Sequence, residues 1–129
     1  MIRLPGLVDL QVNGFAGVDF SAPDLTRTDA LKACGELSRR GVAGFLPTII
    51  TSSEEIYARN LPILAGLASD AQFGGMILGI HAEGPFISRE PGAVGAHNPE
   101  WARNPDRAFL DRMIEWSAGS IRMLTIAAE

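Results

Sequence analysis

The sequence predicts an α/β fold built on a parallel sheet, and three observations carry that reading. Short β-rich stretches alternate with stretches of helical period in the order βαβαβαβ. The middle strands are near-continuous apolar runs, the pattern expected when helices cover both faces of a parallel sheet. Glycine and proline fall between the elements rather than at random inside them. The chain has 129 residues, 47% hydrophobic and 20% charged, enough for one domain with a real core.

Each element has its own warrant. GLVDLQVNG, Gly6 to Gly14, is β-rich and bounded by glycines, so it predicts a strand. Thr28 to Arg40 places Leu31, Cys34 and Leu37 at three-residue spacing, with Gly41 as the C-cap of a helix. VAGFLPTII, Val42 to Ile50, predicts a second strand, with Pro47 marking its end or a bulge. Ser52 and Glu55 have capping-box spacing and start a helix to about Ala68, with a kink or break expected at Pro62. Gly74-Gly75 reads as a turn, and Met76 to Ala82 as a third, nearly all-apolar strand. A loop rich in proline and glycine follows, from Gly84 to about Asn104. Asn104-Pro105 predicts an N-cap with proline at the first helical position. The helix beyond carries Phe109, Met113 and Trp116 on one side, and Ile121 to Ala128 predicts a fourth strand.

Two architectures fit this order, a doubly wound sheet and part of a (β/α)₈ barrel. A complete barrel needs about 250 residues. Four strands would leave the first and the fourth as open edges, which favours association.

Composition bounds the function. The net charge is −4 and the eleven Lys and Arg do not cluster, which argues against a nucleic-acid surface. No apolar run is long enough to span a membrane, and MIRLPG lacks a signal-peptide core. A single cysteine excludes an internal disulfide framework and fits a reducing compartment. These features predict a soluble, cytoplasmic protein. Dinucleotide, Walker and nucleophile-elbow motifs do not occur, and Cys34 on an apolar helix face reads as core.

In both architectures ligands sit at the carboxyl ends of the strands. There the sequence places Asp9, Gln11 and Asn13, alternate and so on one face; Pro47, Thr48 and Thr51; His81 and Glu83, again alternate; and Thr125 and Glu129. Polar groups aimed into a buried sheet are costly without partners, so their convergence points to a metal or catalytic site. The same spacing fits structural strand ends, with Asp9 anchoring a turn. The long loop adds Arg89, His97 and Asn98, groups suited to anionic or sugar ligands.

Four segments, LPGLVDLQVNG with GVDF, GVAGFLPTIITS, ILGIHAEGPFIS and GAHNPE, resemble the N-acetylglucosamine-6-phosphate deacetylases of the amidohydrolase superfamily, in order and across essentially the whole chain. The resemblance implies the first four strands of a metal-dependent (β/α)₈ barrel over residues 1–129. It implies hydrolysis of the acetamide of N-acetylglucosamine 6-phosphate to glucosamine 6-phosphate and acetate. It implies Glu83 as a metal ligand, Ala96 and His97 as substrate contacts, and His81 as a supporting neighbour. Where many amidohydrolases carry H-x-H, this chain has Gln11-Val12-Asn13, implying one divalent ion, zinc or iron, and leaving Gln11 and Asn13 as candidate hydrogen-bonding residues. The remaining metal histidines and the catalytic aspartate are expected from later strands, so this chain supplies no catalytic residue. Inactivity of the chain alone, association with a second half or a second copy, and a sugar-phosphate-binding module around His97 are the corresponding expectations.

Overall fold

The computed structural model describes residues 5–128. Met1 to Leu4 and Glu129 lie outside the described residues. In chain order the elements are β1 (Leu7–Val12), β2 (Gly14–Phe15), β3 (Val18–Asp19), α1 (Arg27–Arg39), β4 (Val42–Ile50) and α2 (Glu54–Leu67), then a 3₁₀ turn (Gly74–Met76), β5 (Ile80–Glu83), α3 (Arg107–Trp116) and β6 (Ile121–Thr125). β1, β4, β5 and β6 form one parallel sheet in that order.

This strand order bears on the choice between the two architectures. Each new strand is added on the same side of the last, so right-handed crossovers put every helix on one face. The core agrees: Ala30, Ala33 and Leu37 of α1, Leu61 and Leu64 of α2 and Phe109 and Met113 of α3 cluster with Phe45, Ile49, Ile80 and Ala82 of the sheet. The expectation of helices on both faces is therefore corrected. The apolar strands are buried by helices on one side only. The opposite side carries Thr48, His81 and Glu83, at the alternate positions of β4 and β5.

Several boundaries differ from the sequence reading, each for a local reason. The first strand stops at Val12, and the chain turns into an unanticipated hairpin, β2–β3. Its turn holds Ala16 at φ 53° and Gly17 at φ 83°, the primed geometry that matches strand twist. Helix α1 starts behind Thr26, whose hydroxyl accepts from the Asp29 amide. Pro47 does not end its strand, but the irregularity expected there is present: the β1 ladder shifts register between Asp9 and Val12, opposite Phe45 and Pro47. The proline sits between the Phe45–Ile77 bridge and the ladder that begins at Thr48 and His81, where β5 asks for no N–H.

Helix α2 is capped by Ser53, which accepts from the Ile56 amide, and not by Ser52, whose hydroxyl donates to Ile50 O. Pro62 does not split it. The proline is exposed, while Tyr57, Leu61, Leu64 and Leu67 bury both halves of the helix in the core. The third strand is shorter than expected and shifted. Gly79 at φ 139° interrupts the extended chain, and β5 runs only from Ile80 to Glu83. Asp106 caps α3, accepting from the Ala108 and Phe109 amides, in place of the expected Asn104-Pro105. The fourth strand ends at Thr125. Cys34 is buried in the core, as read. β1 and β6 are the sheet's edges, and Leu7, Val8 and Leu10 of β1 stand exposed.

Candidate functional site

The helix-free face of the sheet gathers its polar groups at the carboxyl ends of the strands. Glu83 closes β5. The Asn13 side-chain amide, just past β1, donates to Glu83 Oε2 at 3.1 Å. His97 Nε2 lies 3.8 Å from Glu83 Oε1, close enough for charge pairing if the imidazole is protonated but too long for a hydrogen bond. Both side chains are mostly buried, 19% exposed for Glu83 and 16% for His97. The buried His97 Nδ1 has no hydrogen-bond partner among the described residues. Three residues separated by up to 84 positions thus meet at one carboxylate.

Local structure explains how they meet. β3 follows the hairpin turn, and just past it the Phe20 amide donates back to Asn13 O at 3.0 Å, fixing the end of β1. Gly84 at φ 98° turns the chain out of β5 immediately after Glu83. A Cβ there would fall 2.1 Å from Thr51 Oγ1, so the chain passes too close for any side chain. The Thr51 hydroxyl in turn donates to Glu83 O at 3.3 Å. The long loop is closed at its base. The Arg103 amide donates to Pro85 O at 2.8 Å, the Ala127 amide donates to Phe86 O, and the Arg89 guanidinium donates through Nε and a terminal nitrogen to Ala102 O. Such a closed loop carries His97 back over the end of β5.

The sequence-derived candidates divide accordingly. Glu83, Ala96 and His97 share one cleft of about 490 Å³, with Ile87, Ser88 and Ala127 among its other walls. Asn13 touches Glu83 directly. Gln11 does not join them. It is exposed, and its backbone amide donates to Asp9 Oδ1, so Asp9 holds the strand locally. Arg89 and Asn98 also serve the loop: Asn98 Oδ1 accepts from the Glu100 amide, an Asx turn.

His81 lies below Glu83 and is 2% exposed. Its Nδ1 is 3.4 Å from Thr48 Oγ1, and its Nε2 is 2.8 Å from Thr125 Oγ1. Burial pushes the imidazole below its ordinary pKa, opposed by the Glu83 charge and the Leu10 carbonyl. The sequence flagged Thr48 and Thr125 as strand-end polar residues without assigning them a task. Alternation on adjacent parallel strands was the signal that could have joined them to His81.

Glu83 is suited to contribute one ligand to a divalent ion: among the described residues Oε1 takes no hydrogen bond, and Oε2 is held from one side. Among the described residues no group of three or more His, Cys, Asp or Glu could hold a metal, so they do not supply a three-ligand set.

Against known proteins, no family model matches the chain. Curated relatives do. N-acetylglucosamine-6-phosphate deacetylase of Bos taurus is 40% identical over 132 residues, covering 99% of this chain and 31% of its own length. The solved N-acetyl-D-glucosamine-6-phosphate deacetylase of Mycobacterium smegmatis superimposes with a TM-score of 0.82 at 34% identity, over 97% of this chain and 31% of that one. The chain is homologous to part of the N-acetylglucosamine-6-phosphate deacetylases. It spans about 31% of the length of the deacetylases it matches. N-acetylgalactosamine-6-phosphate deacetylase of Escherichia coli O157:H7 is also similar, 33% identical over 127 residues. No helix among the described residues is long and apolar enough to cross a membrane.

Proposed function

We propose that this chain is the Glu83-bearing part of a metal-dependent (β/α)₈ amidohydrolase. In our reading it removes the acetyl group from an N-acetylhexosamine 6-phosphate, N-acetylglucosamine 6-phosphate foremost. The observation that carries this reading is the meeting of Asn13, Glu83 and His97 beside one cleft, in a chain whose relatives are deacetylases. Water adds to the acetamide carbonyl, the C–N bond breaks, and the nitrogen leaves as the amine of the hexosamine while the acyl group leaves as acetate. A divalent ion, zinc or iron, supplies at such a site an acidified water and a polarised carbonyl.

The chain's own residues have defined tasks in this proposal. Glu83 serves as one metal ligand. Asn13 orients the carboxylate by donating to Oε2, the kind of support that holds a ligand in place. His97 and Ala96 contact the substrate from the loop, where the unpartnered His97 Nδ1 is a donor or acceptor in waiting. The other metal ligands and the aspartate for proton transfer come from further strands, of the same polypeptide or of a second copy. The exposed Leu7, Val8 and Leu10 on the β1 edge support such association. A phosphorylated sugar substrate and one reduced, buried cysteine suit the cytoplasm.

Glu83→Gln tests the assignment in the complete enzyme. Metal content after dialysis should fall to background and acetate release should stop; normal metal content would sink the ligand role. A binding-only module is the second reading, favoured by a cleft whose described residues offer sugar-binding groups but no three-ligand set. Calorimetric binding of N-acetylglucosamine 6-phosphate by this chain, without acetate release when zinc or iron is added, would select it.

A further inference from the structure

One chain of hydrogen bonds crosses all four strands directly beneath Glu83. The Val12 amide of β1 donates to Thr48 Oγ1 at 3.1 Å. Thr48, fully buried on β4, is 3.1 Å from Leu46 O and 3.4 Å from His81 Nδ1. His81 on β5 reaches Thr125 Oγ1 on β6 at 2.8 Å. The ladders put these residues at adjacent levels: Thr48 is the register partner of His81, and Thr125 that of Glu83.

The proton inventory fixes a direction. A threonine hydroxyl has one hydrogen to give and two lone pairs to receive. Thr48 gives its hydrogen to the nearer acceptor, Leu46 O, which leaves its lone pairs for the Val12 N–H and for a hydrogen on His81 Nδ1. A neutral imidazole with Nδ1–H has a bare Nε2, and that nitrogen accepts the Thr125 hydroxyl hydrogen. Every member is then satisfied, as the burial of Thr48 and His81 requires, while Thr125 closes the chain at the exposed edge.

We propose that Thr48, His81 and Thr125 form a positioning relay that fixes a hydrogen on His81 Nδ1 and sets the strand ends around the Glu83 carboxylate. Both imidazole nitrogens are engaged, so His81 acts neither as a metal ligand nor as the proton-transferring base, although it stands two residues from Glu83. The relay deepens the reading of Glu83 as the working carboxylate and rests on it. Thr48 and Thr125 are positioning residues, acting through His81 and through the spacing of β4 and β6 about β5.

The test is ¹⁵N-resolved NMR on the full chain labelled at histidine and asparagine, with His81→Gln to assign the His81 signals. One protonated and one bare nitrogen are expected for His81 at neutral pH, the proton on Nδ1. Thr125→Val should move the bare Nε2 signal downfield, as its hydrogen bond is lost, and Thr125→Ser should restore it. The Asn13 side-chain amide, bonded to Glu83 Oε2, reports carboxylate position. Its proton shift should change in Thr48→Val and Thr125→Val, return in the serine variants, and stay fixed in the control Thr28→Val on the exposed side of α1. A proton on Nε2, or on both nitrogens, overturns the tautomer. An unmoved Asn13 amide in folded Thr125→Val overturns the positioning role. If Thr48→Val does not fold, Thr48→Ser must still preserve both signals. Failure of the Glu83 reading is distinguishable, because it would appear as metal retention in Glu83→Gln with the tautomer result intact.

Discussion

Gly84→Ala tests the reasoning about the end of β5 most directly. Gly84 has φ 98°, and a Cβ on it would lie 2.1 Å from Thr51 Oγ1 and 3.0 Å from Ile87 Cγ1. Two costs follow. An L-residue in that conformation loses about 1–3 kcal/mol. Thr51 is 1% exposed, so its hydroxyl has nowhere free to move, and displacing it breaks its bond to Glu83 O, worth about 1 kcal/mol. The total of about 2–4 kcal/mol is a large share of a stability of about 5–15 kcal/mol. With a urea m-value of about 2 kcal/mol/M, the midpoint should fall by about 1–2 M. The double variant Gly84→Ala/Thr51→Ala separates the two costs. Removing Thr51 relieves the clash but not the backbone strain, so the pair should be less destabilised than the sum of the singles by about 1 kcal/mol. An unchanged midpoint in Gly84→Ala, or strict additivity in the pair, would refute the close-approach argument.

Other consequences can be checked independently. Burial pushes the Cys34 thiol up to about 11, with the Asp70 charge adding to it, so at pH 8 native Cys34 should react with a disulfide reagent on the order of a hundredfold more slowly than in denaturant. Because the folded pKa is raised, its contribution to stability is complete below about pH 9 and is lost as pH climbs towards 11; equal native and denatured labelling rates would contradict this. Arg103 stacks 3.8 Å above the Phe109 ring and pairs with Glu54 at 3.4 Å, both partly exposed, so Arg103→Ala should cost about 1–2 kcal/mol by chemical denaturation, with no loss counting against the stack. Leu61→Ala, in the centre of the core, should cost about 2–5 kcal/mol. Arg89→Ala opens the loop base at Ala102 O and should speed limited proteolysis between Phe86 and Arg103 severalfold, while Arg89→Lys recovers only part of the protection; unchanged cleavage would remove the clamp.

What could be read from the sequence depended on whether the signal was local. The alternation of strands and helices, the apolar run Val42–Ile50 and the helix face of Cys34 and Leu37 depend on periodicity, which survives into the fold, although Leu31 of that face is only half-buried and Ala30 and Ala33 are buried as well. Capping residues were missed by one or two positions, at Ser53 and Asp106, because several side chains in each stretch can accept a backbone hydrogen and only tertiary packing selects one. Gly79 looked like an ordinary apolar-strand glycine, but it takes φ 139°, and a Cβ on it would meet Arg122 of β6 and the Ser120 carbonyl just before that strand, far along the chain. The hairpin at Ala16-Gly17 went unread because alanine is a poor advertisement for a left-handed turn. At the site, strand-end placement identified Glu83, His81 and Asn13 as neighbours, since alternation and a parallel sheet order determine it. Gln11 fell away because the ladder shifts register between Asp9 and Val12, which alternation alone cannot foresee.

The one-directional strand order also bears on how the chain assembles. Across the three interfaces, paired residues are 35 apart in sequence (Leu7 and Val42), 33 apart (Thr48 and His81) and 41 apart (Ile80 and Ile121). No interface waits for a distant segment, and each closes a loop of nearly the same entropic cost, since that cost grows only as the logarithm of length. The sheet can therefore grow by accretion, each βα unit docking on its predecessor as the chain lengthens during synthesis. Under such growth β1 is the first of these four strands to be made, and among the described residues its far edge keeps no strand partner.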